Sequence, residues 1–320
     1  MTEQWTRRNF CLALGALGAS HTLGAAETSK RITAAKLGVI TDEISQDLDK
    51  ALEFCAGYSL TYCELREIGG RNIMSLSHDD LQRAKQIVDK RQFKVTEIAS
   101  PLFKYNLPEM PAQPSQKRDT FMASFTEEDT EDLLKRSFEI ARLFGTDKIR
   151  IFSYWRVEDP EKAFPHVRER LAKAAAMAAQ NKITLLLENE PSCNVGTGKE
   201  LGRMVRGVNS PALRAMWDPG NVVVLNEIPY PDGYGHVRGL FPHMHVKDAK
   251  RDPATGKTAW LPVGSGTVDF RGQFEALARD GYKGSMSLET HYRRPDGNPL
   301  ESTRESLEGL LRVLKEPSRQ

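Results

Sequence analysis

The chain has 320 residues, 39% hydrophobic and 28% charged, a composition that suits a globular protein with a substantial core. Its 45 basic and 43 acidic side chains leave a formal net charge of +2. That near balance gives no electrostatic case for nucleic acid or an anionic membrane as partner.

The first elements belong to targeting rather than to a fold. Thr6-Arg7-Arg8-Asn9-Phe10 precedes an apolar, small-residue stretch from Cys11 to Ala19, and Gly24-Ala25-Ala26 offers a cleavage site. This pattern resembles a twin-arginine export signal over residues 1–26, followed by a linker at 27–35. The apolar stretch is too short and too rich in Gly and Ala to make a stable membrane anchor. The expectation is a periplasmic or secreted protein, carried by the twin-arginine export machinery. Of the four cysteines, Cys11 lies in this segment. The other three, Cys55, Cys63 and Cys193, show no CxxC spacing; Cys55 and Cys63 read as buried free thiols, with a Cys55–Cys63 bridge as the alternative in an oxidising compartment.

From residue 36 strands and helices alternate. A strand at 36–41 leads to a helix through Leu48, Leu52 and Cys55. A strand from Tyr62 to Arg66 precedes a helix capped by Ser77 and running to Lys90. The third strand, Phe93 to Ala99, leads into a proline-rich segment at 100–124 that reads as a lid. A helix from Glu127 to Phe144 ends at Gly145, and strand four is Lys148 to Phe152. An alanine-rich helix spans Glu161 to Gln180. Strands five, six, seven and eight end at Glu188, Asp218, His245 and Glu289, with helices from Lys199, over Phe270 to Arg279 and over Glu301 to Leu314.

Eight such units predict a single-domain (β/α)8 TIM barrel over residues 36–315, with a tail at 316–320. An open doubly wound sheet is the alternative, but Thr41-Asp42-Glu43-Ile44-Ser45 stands where its glycine-rich turn would be. In a barrel, Glu188, Asp218, His245 and Glu289 would lie side by side at the catalytic rim. Three carboxylates and an imidazole suit a divalent cation.

Leu185-Leu186-Leu187-Glu188-Asn189, Trp217-Asp218-Pro219-Gly220-Asn221, His243-Met244-His245-Val246-Lys247-Asp248 and Ser287-Leu288-Glu289 resemble the xylose isomerase-like TIM barrel superfamily, nearest its sugar epimerase and inosose dehydratase branch. Cys63-Glu64-Leu65-Arg66 and the run Val263 to Phe270 fit the same group. The resemblance implies one divalent metal ion, manganese first and Mg, Co, Fe or Zn as alternatives, held by Glu188, Asp218, His245 and Glu289. It also implies a carbohydrate substrate and a sugar isomerase or epimerase acting through an enediolate, with Glu188 and Glu289 as the acid/base pair. A carbon–oxygen lyase is the same-site alternative, and a non-catalytic sugar-binding protein is the rival class.

Arg251, Asn221, Lys247 and Glu64 are the expected substrate contacts. His243 is a second candidate ligand, and His291 lies just past Glu289. Tyr154, Trp155 and Phe103 are candidate sugar-stacking rings. Asn194 and Asn221 replace a Glu and a His of the epimerases. Self-association into a homo-oligomer is compatible with the sequence.

Overall fold

The computed structural model describes residues 36–113 and 119–315. The expected signal, linker and tail lie outside the described residues. Eight parallel strands form the centre: β1 (Leu37–Val39), β2 (Tyr62–Leu65), β3 (Lys94–Ile98), β4 (Lys148–Ile151), β5 (Thr184–Glu188), β6 (Leu213–Trp217), β7 (His243–Val246) and β8 (Ser285–Leu288). They follow one another around the sheet as β1-β8-β7-β6-β5-β4-β3-β2. A parallel bridge between Ile40 and Glu64 brings β1 back to β2. The (β/α)8 barrel expected from the alternation is the observed fold.

Helices α1 (Leu48–Gly57), α2 (His78–Lys90), α3 (Thr130–Phe144), α4 (Pro160–Gln180), α5 (Gly198–Val208), α6 (Pro219–Val224), α7 (Tyr234–Val237), α8 (Phe270–Arg279) and α9 (Pro299–Lys315) fill the connections. Their ends follow from side chains that satisfy free backbone groups. Ser77 accepts from the Asp80 N–H at 3.1 Å, as expected of an N-cap. Gly145 ends α3 in the left-handed region at φ 71°, where a Cβ would be strained. Leu185, Leu186 and Leu187 are all fully buried, so β5 is apolar on both faces, as a barrel strand between core and helices must be.

Two antiparallel hairpins were not expected: Glu67–Ile68 with Arg71–Asn72, and Asp248–Arg251 with Thr258–Leu261. Both follow the C-terminal ends of barrel strands and are too short or too polar to show a buried alternation. Cys55, Cys63 and Cys193 are free and buried, so the Cys55–Cys63 bridge is not formed. No helix among the described residues is long and apolar enough to cross a membrane.

Candidate functional site

The four expected ligands meet at one rim. Glu188 ends β5, Asp218 and Glu289 follow β6 and β8, and His245 sits on β7. All four are buried, and each offers a ligand atom within 4.8 Å of the others. Parallel pairing brings them together, since β7 lies between β6 and β8, with His243 opposite Met216 and His245 opposite Ser287.

Local chemistry then aims the side chains. Asp218 is the N-cap of α6, where its Oδ1 accepts from Gly220 N at 2.8 Å and Asn221 N at 3.0 Å. Pro219 suits the first helical position because its φ is already helical. The cap occupies Oδ1 and leaves Oδ2 for the cluster. Gly220 is needed for a close approach, because a Cβ there would lie 2.4 Å from the Lys247 carbonyl oxygen. Asn189 clamps the Asp218 backbone, accepting from its N–H at 2.9 Å and donating to its carbonyl at 2.8 Å. Asn221 donates to Glu188 Oε1 at 3.1 Å.

His245 is held from below, its Nε2 lying 3.0 Å from Glu64 Oε1. Its Nδ1 lies 3.4 Å from Glu188 Oε1, 3.2 Å from Glu289 Oε2 and 3.9 Å from Asp218 Oδ2. His245 Nδ1, Glu188 Oε2 and Asp218 Oδ2 are buried and make no well-aligned hydrogen bond, although Arg150 and Lys247 stand within ion-pair distance of the two carboxylates. Four ligand-type groups thus converge on one point, where their carboxylates need positive charge beside them. A divalent cation fits that place and this donor set.

Cations of the protein itself surround the rim. Arg66 donates from Nη1 to Glu289 Oε1 at 2.9 Å and from Nη2 to Asp42 and Glu43 at 2.6 and 2.8 Å. Arg150 Nη1 is 3.4 Å from Glu188 Oε2. Lys247 Nζ lies 3.0 Å from Asp218 Oδ2 and also pairs with Glu289. Burial alone would raise the Glu289 pKa, but Lys247, His291 and His245 outweigh it and hold the carboxyl well below its ordinary value. For Asp218 burial prevails over the attraction of Lys247 and lifts its pKa to about 6.

Lys247 and Asn221 stand at the rim cluster, against Asp218 and Glu188. Glu64 lies fully buried below the rim with its carboxylate on His243 and His245. Arg251 lies outward on the second hairpin, its guanidinium against Gly256. Asn194 is a loop staple, donating to the Ser153, Tyr154 and Trp155 carbonyls. The stacking rings expected of Phe103, Tyr154 and Trp155 are instead buried packing residues, and the Tyr154 hydroxyl donates to Glu127.

Sequence patterns do not single out Arg150, Glu97 or Phe121, and they give Glu43 and Arg66 no role. Arg150 and Glu97 carried a usable signal, a lone charge between branched apolar residues of a barrel strand, where only the interior can receive it. Phe121 had none. It comes from the proline-rich segment, and its ring packs 4.8 Å from the Arg150 guanidinium, 5.0 Å from that of Arg66 and 3.6 Å from Lys104 Nζ.

Fold and site together define a (β/α)8 barrel with an acidic, histidine-containing rim. The chain belongs to the xylose isomerase-like TIM barrel family, whose model matches residues 52–313. It is 28% identical over 165 residues to the L-ribulose-5-phosphate 3-epimerase UlaE of Shigella boydii serotype 18, covering 49% of this chain and 55% of that one. The chain therefore spans about half the length of the curated relatives it matches. Among solved structures, it resembles a xylose isomerase-like TIM barrel protein from Mycobacterium smegmatis in complex with magnesium. The TM-score is 0.60 at 21% identity, over 83% of this chain and 89% of that one. It also resembles the apo form of 3-keto-D-glucoside 4-epimerase, YcjR, from E. coli, with TM-score 0.62 and 15% identity over 87% and 98% of the two chains.

Proposed function

We propose that the protein is a divalent-metal-dependent sugar isomerase or epimerase that moves a proton at a carbon next to a carbonyl. The observation that carries this reading is the convergence of Glu188, Asp218, His245 and Glu289, all buried, with ligand atoms within 4.8 Å of one another. The epimerase names of the relatives and the magnesium of the Mycobacterium smegmatis protein support it. Glu188, Asp218, His245 and Glu289 would hold the ion, with manganese or magnesium matching the three carboxylates. When bound, such an ion stabilises negative charge building on the substrate oxygen.

The remaining work falls to the chain's own groups. Glu188 and Glu289 come from the outer two of the four strands, β5 and β8, and one takes the proton while the other returns it. Arg66 and Lys247 keep Glu289 ionised and ready to accept. Phe121, above the two arginines, walls the substrate off from water. The Arg7-Arg8 motif supports export by the twin-arginine route, which favours a free or glycosidic keto-sugar over a phosphorylated one.

The test is a screen of keto-sugars and glycosides with the metal-loaded chain in deuterated water. Inversion with one solvent deuteron retained supports the proposal, and Glu188→Gln and Glu289→Gln should each lower turnover by about 10²–10⁴-fold. An unsaturated product would identify a carbon–oxygen lyase instead. Full turnover in both variants would rule out the two-carboxylate mechanism.

A further inference from the structure

A second group of ligand-type side chains lies inside the barrel, below the rim. Glu64 on β2, Glu97 on β3, and His243 and His245 on β7 are all fully buried, with ligand atoms within 4.8 Å of one another. His243 Nε2 is 3.2 Å from Glu64 Oε2, and His245 Nε2 is 3.0 Å from Glu64 Oε1 and 3.9 Å from Glu97 Oε1. Ligand atoms around a tetrahedral zinc, with bonds of about 2.0–2.1 Å, stand about 3.3 Å apart. The observed spacing brackets that value.

Glu97 is the least satisfied of these groups. It is 0% exposed, and no donor group reaches either carboxylate oxygen. Two carboxylates set against each other in a dry interior must share either a proton or a cation.

The surroundings favour the cation. The Ser285 hydroxyl pairs with His243 Nδ1 at 2.7 Å, which turns Nε2 toward Glu64 in the way outer partners orient metal-binding imidazoles. Ser285 also lines a cavity of about 690 Å³ at the N-terminal ends of the strands, beside Tyr62, Lys148 and Phe241.

We propose that Glu64, Glu97, His243 and His245 form a second divalent-cation site in the barrel interior, with His245 releasing its ring proton to solvent and bridging the site to the rim as an imidazolate. Two imidazole nitrogens and two carboxylates in a closed, four-ligand shell match zinc better than the more oxygen-loving ions. Occupancy of the interior site does not depend on turnover at the rim.

The experiment is a metal count on the full chain, stripped with chelator and re-equilibrated with Zn²⁺. The wild type should hold two ions per chain, Glu97→Gln one, and the rim double variant Asp218→Asn with Glu289→Gln also one. Anomalous diffraction at the zinc edge on the wild type, which does not require a folded variant, should place one peak between Glu64, Glu97 and the two histidines. A single ion that is lost in the rim variant and kept in Glu97→Gln overturns the proposal, as does an anomalous peak at the rim alone. A proton would then join Glu64 to Glu97. Failure of the sugar screen would leave the metal count unchanged, so the two readings fail separately.

Discussion

Arg66, just past the end of β2, holds Glu289, just past the end of β8, by a 2.9 Å hydrogen bond between Nη1 and Oε1. Its other nitrogens bind Asp42 and Glu43 after β1, so one buried guanidinium ties three neighbouring strand ends together. Removing one partner of a buried ionic group leaves uncompensated charge. Arg66→Met should therefore cost about 3–5 kcal/mol of stability, measured by denaturant unfolding. Arg66→Lys should recover only part of that, because an ammonium lacks the planar fork.

Lys247 shares Asp218 and Glu289 with the proposed rim ion. Its ammonium is a tethered competitor for the same oxygens. Lys247→Met should tighten Mn²⁺ binding by about tenfold, or about 1.4 kcal/mol, while lowering turnover. Titration calorimetry on the stripped protein checks this, and weaker binding in the variant would show that the lysine supports the ion instead.

Phe121 caps the two arginines from the proline-rich segment, and its backbone carbonyl is fixed by the Asn72 amide at 2.9 Å. Phe121→Ala should raise KM for a small keto-sugar severalfold and admit bulkier glycosides. A substrate series compared with wild type gives the answer, and an unchanged ranking would remove Phe121 from specificity.

Glu200 closes a capping box with Thr197 at the start of α5 and accepts Arg156 at 2.7 and 3.2 Å. Burial raises its pKa, but the Arg156 hydrogen bonds and the Gly196 and Thr197 N–H groups outweigh that and leave it below the ordinary 4.5. A carboxylate depressed on folding contributes fully above its unfolded pKa, and the contribution disappears as pH falls through the folded value. Glu200→Gln should cost about 1–2 kcal/mol at pH 7. The gap to wild type should narrow as unfolding is repeated below pH 4.5. A gap independent of pH would mean that packing, not charge, is lost.

The barrel and the rim were legible because both depend on short-range patterns. Apolar runs ending in Glu188, Asp218 and Glu289 mark strands that are buried along their length and open at one end. The Asp-Pro-Gly-Asn run even encodes the cap that holds one Asp218 oxygen and turns the other toward the cluster. A strand pattern reports that Glu64 is near the barrel centre, not its depth there.

The amino-acid sequence by itself determined the eight strand–helix units, the order of the rim residues Glu188, Asp218, His245 and Glu289, and the family they belong to, since these rest on local periodicity and on residues adjacent in the chain. Only the tertiary structure decided that Glu97 faces Glu64, that Arg66 reaches Glu289, and that Phe121 lies over both arginines. Those pairings join residues tens to hundreds of positions apart. Their geometry is set by how the closed sheet stacks side chains in its interior, which no local pattern records.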